Sequence, residues 1–71
     1  MVQVVMTTES GGMDVYEFPR RTAKRRARAL MDQSWLPGYI GERYVRADYI
    51  ASRGSWQLEL TGADVARLLG A

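Results

Sequence analysis

Apolar and polar residues alternate in two short runs near the start of this chain. The run VQVVMTT over residues 2–8 is rich in β-branched side chains and predicts a strand, and MDVYEF over 13–18 predicts a second. Between them Glu9-Ser10-Gly11-Gly12 is a turn signal, because glycine reaches positive φ without steric cost. A three-residue loop over 10–12, with glycine in the left-handed position, sets Met6 opposite Tyr16 and Val4 opposite Phe18. Val2, Val4, Met6, Tyr16 and Phe18 then share one face, and Gln3, Thr7, Asp14 and Glu17 the other. A two-residue Gly-Gly loop sets Met6 against Glu17 and mismatches the faces, so the longer loop is favoured.

The period then changes. Over residues 19–33 (PRRTAKRRARALMDQ) the spacing predicts a helix, with Pro19 at its first position, where a missing N–H costs nothing. At 100° per residue Ala23, Ala27, Leu30 and Met31 form one stripe, with Ser34 beyond. Arg21, Lys24, Arg25 and Arg28 lie about a quarter-turn away, and Arg26 falls on the far side. The two alanines let the helix sit close to a sheet, and Leu30 and Met31 supply most of its buried area. Pro37-Gly38 cannot continue it, so it ends near Gln33 or Ser34.

A connector follows over 35–41 (WLPGYIG), expected to place Trp35, Leu36 and Ile40 over one end of the core. Alternation returns in RYVRADYIAS (43–52) and WQLEL (56–60). A two-residue Arg53-Gly54 turn pairs Ala51 with Trp56, Tyr49 with Leu58 and Ala47 with Leu60. Val45, Ala47, Tyr49, Ala51, Trp56, Leu58 and Leu60 then make one apolar face. Tyr44, Arg46, Asp48, Ile50, Gln57 and Glu59 make the other, with Asp48 facing Glu59 and Arg46 placed diagonally to ease them. Finally, Thr61 caps a short helix with Asp64 in the capping-box position, Val65, Leu68 and Leu69 as its stripe, and Gly70 as its stop.

The resulting order is β-β-α-β-β-α, with no residue-by-residue repeat between the halves. It predicts one small α+β domain over residues 1–71, a two-layer arrangement with an antiparallel four-stranded sheet and both helices on one face. Two separate sheets, or one sheet continued into a second subunit, are the alternatives. A chain of 71 residues buries only about 60% of its unfolded surface, so a partner or a second copy would add burial that it lacks.

Composition mainly excludes. With no Cys and no His there is no disulfide, no Cys/His zinc site, and no Ser-His-Asp or Cys-His catalysis. The eight acids are scattered in no recognisable pair, so no enzyme is expected and no catalytic or metal-ligating residue is assigned. Neither GxxxxGK[ST] nor GxGxxG occurs, and no cofactor is expected. The apolar runs fall short of a membrane span, and residues 1–6 lack the features of a signal peptide, which points to a cytoplasmic protein without a membrane partner. Arg outnumbers Lys nine to one, which suits GC-rich coding in a bacterium or its phage.

Charge changes the picture more. The net charge is only +2, but residues 1–18 hold three acids and no base, 19–36 hold six bases and one acid, and 37–71 hold four of each. The positive field therefore belongs to one helix. Four cations on a helical face suit phosphate groups, arginine suits bidentate phosphate or guanine contacts, and Trp35, Tyr39 and Tyr44 follow as aromatics that can stack on bases. Arg20, Arg21, Lys24, Arg25, Arg28, Trp35 and Tyr39 are thus the candidate contact residues, with nucleic acid as the preferred partner. The alternative is an inhibitor, adaptor or assembly factor that presents the same helix to an acidic protein surface, with Trp35, Tyr39 and Ile40 as apolar anchors. A third reading is a homodimer through paired sheet edges.

Overall fold

The computed structural model describes residues 1–70. Strands β1 (Val2–Thr8) and β2 (Met13–Phe18) form the first hairpin, a 3-10 turn (Arg20–Thr22) leads into α1 (Ala23–Ser34), β3 (Tyr44–Ile50) and β4 (Ser55–Glu59) form the second hairpin, and α2 (Gly62–Leu68) closes the order. All four strands belong to one antiparallel sheet in the order β2-β1-β3-β4. The α+β architecture expected from the alternating pattern is the one observed. An Arg28–Asp64 contact of 3.9 Å brings the start of α2 beside α1, on the same side of the sheet.

The core is the stripe of α1 set on the two central strands. Ala23, Ala27 and Met31 pack on Val4, Met6, Tyr44 and Ala47, and all seven are buried. The small alanines let the helix approach the sheet, and the larger Met31 and Met6 fill the space beside them. Each such methionine, fully buried, contributes ~1.5–3 kcal/mol. The open face of the sheet carries Gln3, Val5 and Thr7 from β1, with Met13 and Val15 exposed at the β2 edge.

Both hairpins keep the expected faces but pair two residues away from the expected register. In the first, Val4 lies opposite Tyr16 and Val2 opposite Phe18. A three-residue loop is present, yet it is residues 9–11, with Gly11 at φ 95° in the left-handed position. Thr8 sets this choice. Its N–H donates to the Gly12 carbonyl at 2.8 Å, its carbonyl accepts from Gly11 N–H at 3.0 Å, and its hydroxyl accepts from Gly12 N–H at 2.8 Å. In the second hairpin Tyr49 faces Trp56 and Ala47 faces Leu58, so residues 51–54 form the connection in place of a two-residue turn.

Two side chains sit on faces opposite to those expected. Asp14 pairs with Met6 and so shares its face with Tyr16 and Phe18, because residues two apart on a strand point the same way. Tyr44 is buried instead of lying on the polar face. The cause is a β-bulge: Thr7 pairs with Arg46 but Thr8 with Tyr44, which leaves Val45 as the extra residue and inverts the alternation beyond it.

That bulge is pinned from α1. The Tyr44 N–H donates to the Ser34 hydroxyl at 3.0 Å, and the Tyr44 carbonyl accepts from the Trp35 indole N–H at 2.6 Å. Ser34, fully buried, in turn donates to the Met31 carbonyl at 2.7 Å. Every polar group displaced by the bulge at Tyr44 thus finds a partner on the end of the helix.

Candidate functional site

The cations gather at the start of α1. Arg20 and Arg21 lie in the 3-10 turn, and Lys24, Arg25 and Arg26 in the first turn of the α-helix; all five are exposed. Among the described residues no carboxylate lies within salt-bridge distance of any of them, and Arg26 donates to the Thr22 hydroxyl at 3.0 Å. The local sequence gives this end little support. Thr22, the N-cap, makes no capping bond through its side chain, and the first turn has no acid. Positive side chains here oppose the positive end of the helix dipole, which costs ~0.3–1 kcal/mol each at an exposed site.

Arg28 stands apart from that group. It is on the predicted face, but its guanidinium donates to Asp32 at 3.1 Å and lies 3.9 Å from Asp64. The Asp32 partner is an i,i+4 neighbour and could be read from spacing; Asp64 arrives only through the tertiary fold. The free field is therefore Arg20, Arg21, Lys24 and Arg25, with Arg26 at its flank.

The aromatic candidates separate. Trp35 is only 6% exposed, its indole N–H is committed to the Tyr44 carbonyl, and the Arg43 guanidinium stacks over its ring at 5.1 Å. It is a core side chain and a cation–π platform, and presents no free face for stacking on a base. Tyr39 is half-buried and folds back over Gly41, where φ is 135° and a Cβ would come within 3.2 Å of the ring. Tyr44 is buried. Of the apolar anchors, Leu36 and Ile40 are exposed, Ile40 at 95%. The connector thus covers the core through Trp35 and presents Ile40 outward.

A second polar group lies at the other end of the core. Tyr44 donates to the Asp14 carboxylate at 2.8 Å, and Tyr16 donates to Tyr44 at 2.6 Å. Burial, reinforced by the hydrogen bonds from Tyr16 and to Asp14, pushes the Tyr44 phenol well above its ordinary range. The chain therefore holds its proton, which suits a structural clasp between β2 and β3 and opposes use as a base. Spacing alone did not reveal it, because the bulge that turns Tyr44 inward depends on Ser34 and Trp35.

The described surface has no pocket, and no cluster of three or more acidic, His or Cys side chains lies close enough to hold a metal ion. No helix among the described residues is long and apolar enough to cross a membrane. Comparison with protein-family models, with curated proteins and with solved structures finds no match to this chain.

Proposed function

We propose that this protein is a non-enzymatic binding module of the cytoplasm whose Arg20, Arg21, Lys24 and Arg25 contact the phosphates of a nucleic acid. The observation that carries the reading is the concentration of exposed, acid-free cations at the helix end where they cost stability. A chain that needed only a soluble helix would place acids there, since the dipole favours them. Four exposed cations on a surface without a pocket suit a polyanion read through its backbone, with little base specificity. Arg28 contributes less than its place on the helical wheel implies, because Asp32 and Asp64 already hold it.

Fluorescence anisotropy with a labelled duplex and a labelled single strand tests this. Binding through four phosphate contacts has a log–log salt slope of about −3.6 on duplex and about −2.8 on a single strand. Reversing Arg21, Lys24 and Arg25 together to Glu should abolish retention with the fold intact by circular dichroism. No retention at low salt, or retention indifferent to salt, sinks the reading.

Ile40 favours a second reading. A β-branched residue 95% exposed in the same connector as the exposed Leu36 suits an apolar pocket on a protein partner, with the cations steering an acidic surface. Binding to such a partner would depend on Ile40 and Leu36, whereas retention on nucleic acid would not.

A further inference from the structure

The core is complete over the central strands β1 and β3 and unfinished at both edges, where Tyr16 and Phe18 of β2, like the apolar residues of β4, are only partly buried. α1 covers β1 and β3, but β4 is an edge strand, and the face beside it is left to α2, which buries none of its residues. Tyr49, Trp56, Leu58 and Leu60 reach the core only in part. Across from them Val65 and Leu68 are half-buried and Leu69 is 41% exposed. The molecule is correspondingly long, 39 by 19 by 18 Å. Its accessible surface is 4824 Å², against about 4,450 Å² for a compact monomer of 8.0 kDa. The excess, on the order of 400 Å², is roughly half of what one partner gives up in a standard interface.

We propose that the free edge of β4 and the apolar end beside it are the interface with a second copy of this chain, the two β4 strands pairing antiparallel about a twofold axis at Gln57. The backbone phase allows it. Leu60 N–H donates to the Val45 carbonyl at 3.0 Å, so Trp56, Leu58 and Leu60 direct their backbone groups to β3. In an antiparallel ladder the intervening Ser55, Gln57 and Glu59 then direct theirs to the open edge. Centring the axis on Gln57 is the arrangement that pairs all of β4, and it brings outward N–H groups opposite outward carbonyls throughout.

Side-chain chemistry agrees with that register. Gln57 meets Gln57 of the second copy, an amide pair that satisfies itself. Ser55 meets Glu59, a donor against an acceptor. Trp56 meets Leu58 on the apolar face, beside Leu60 and α2, where each copy covers what the other leaves bare. The two Glu59 carboxylates fall at opposite ends of the paired segment, about 14 Å apart along it, beyond the screening length at physiological salt. The other edge is less suited, because β2 carries two acids in six residues, Asp14 and Glu17. The interface is separate from the cations of α1, so it holds whatever those cations bind.

Sedimentation equilibrium over roughly a hundredfold range of concentration tests the proposal, since a dimer's population must follow concentration. The wild type should move from the mass of one chain to the mass of two. Gln57→Lys keeps a good neighbour within the chain, because Gln57 faces Asp48 and already donates to it at 2.6 Å, but it sets two ammonium groups across the axis. Gln57→Pro removes an N–H that points to the open edge and leaves the ladder with β3 intact. Both variants should weaken association by roughly tenfold or more, with the far-UV spectrum unchanged. Reversing Arg21 should leave the mass untouched. Tryptophan emission of the intact chain should shift to shorter wavelength as the dimer forms, since Trp35 is already buried and Trp56 is the indole that the interface would cover. A single-chain mass at every concentration overturns the proposal. So does open-ended assembly, or a dimer that survives both Gln57 variants.

Discussion

Replacing Ser34 by Ala tests the argument that the end of α1 holds the β3 bulge in place. The hydroxyl lies at 0% exposure, donates to the Met31 carbonyl and accepts the Tyr44 N–H. Alanine fits the space and the helix, so the perturbation is chemical rather than steric. It leaves the buried Tyr44 N–H without a partner, at ~1–3 kcal/mol, and forfeits the bond to Met31, at ~1 kcal/mol. Better helix propensity returns ~0.5 kcal/mol. The net loss is about 2–3 kcal/mol, a large part of the ~3.5–10 kcal/mol expected for a chain of this length. Urea titration followed at 222 nm should show it as a midpoint lowered by about 2–3 M for a slope near 1 kcal/mol/M, and melting should fall by roughly 10–20 °C. Asp32→Ala on the same turn is the comparison. It removes a half-exposed i,i+4 pair with Arg28 and should cost only ~0.3–0.5 kcal/mol. If Ser34→Ala costs no more than Asp32→Ala, the bulge does not depend on this hydroxyl and the account of why Tyr44 turns inward is wrong.

Trp35→Phe removes the bond to the other end of the same residue, the Tyr44 carbonyl; in a double-mutant cycle with Ser34→Ala the two losses should fall short of additive, because either one already frees the bulge. Arg21→Glu should raise stability by ~0.3–1 kcal/mol by matching the helix dipole, while anisotropy shows weaker binding to nucleic acid; a loss of stability would mean that the cation has a structural partner. Thr61 N–H and hydroxyl, both donating to Asp64 at 3.0 Å, hold that carboxyl below its ordinary range. A depressed folded pKa gives stability that is present above the unfolded value and lost as pH falls through the folded one, so helicity from α2 should fade below about pH 4, and an Asp64→Asn variant should lack that acid step. Tyr44 has the opposite sign. Its raised folded pKa keeps its contribution intact below the unfolded value near 10 and loses it as pH rises through the folded one, so absorbance at 295 nm should register Tyr44 only as the fold is lost in strong alkali.

Face assignment along the strands was largely legible because burial constrains it through parity. A shift of one residue would have turned Val4 and Met6, both fully buried, out to solvent. A shift of two turns nothing over, so the same pattern cannot distinguish Val4 opposite Phe18 from Val4 opposite Tyr16. Turn chemistry decides it, and two adjacent glycines offered two places for the left-handed residue. Tyr44 was not legible for a different reason. The run YVRADY supports unbroken alternation, and only Ser34 and Trp35, brought in by the packing of α1, make the break at Val45 favourable. The cationic cluster was legible in position from the run of bases itself, although the helix begins at Ala23 and not at Pro19, with Arg20 and Arg21 in the 3-10 turn ahead of it. The loss of Arg28 to Asp64 was not, because that contact joins residues from the two helices.

For the second hairpin the open face supplies the discrimination that burial cannot. In the register suggested by a two-residue turn, Asp48 stands directly opposite Glu59, and like charges directly opposite one another are destabilising. Sliding β4 by two residues places Arg46 opposite Glu59 and Asp48 opposite Gln57, while the apolar face stays apolar. Asp48 then accepts from Arg46 at 3.0 Å and from Gln57 at 2.6 Å, so both of its oxygens are used. The tighter turn would forgo these pairings in exchange for two fewer loop residues, and loop closure depends only weakly on length at this scale. Polar cross-strand pairs, usually read as decoration on a solvated face, therefore set the register here, while the backbone phase that leaves Ser55, Gln57 and Glu59 facing the open edge is common to both registers.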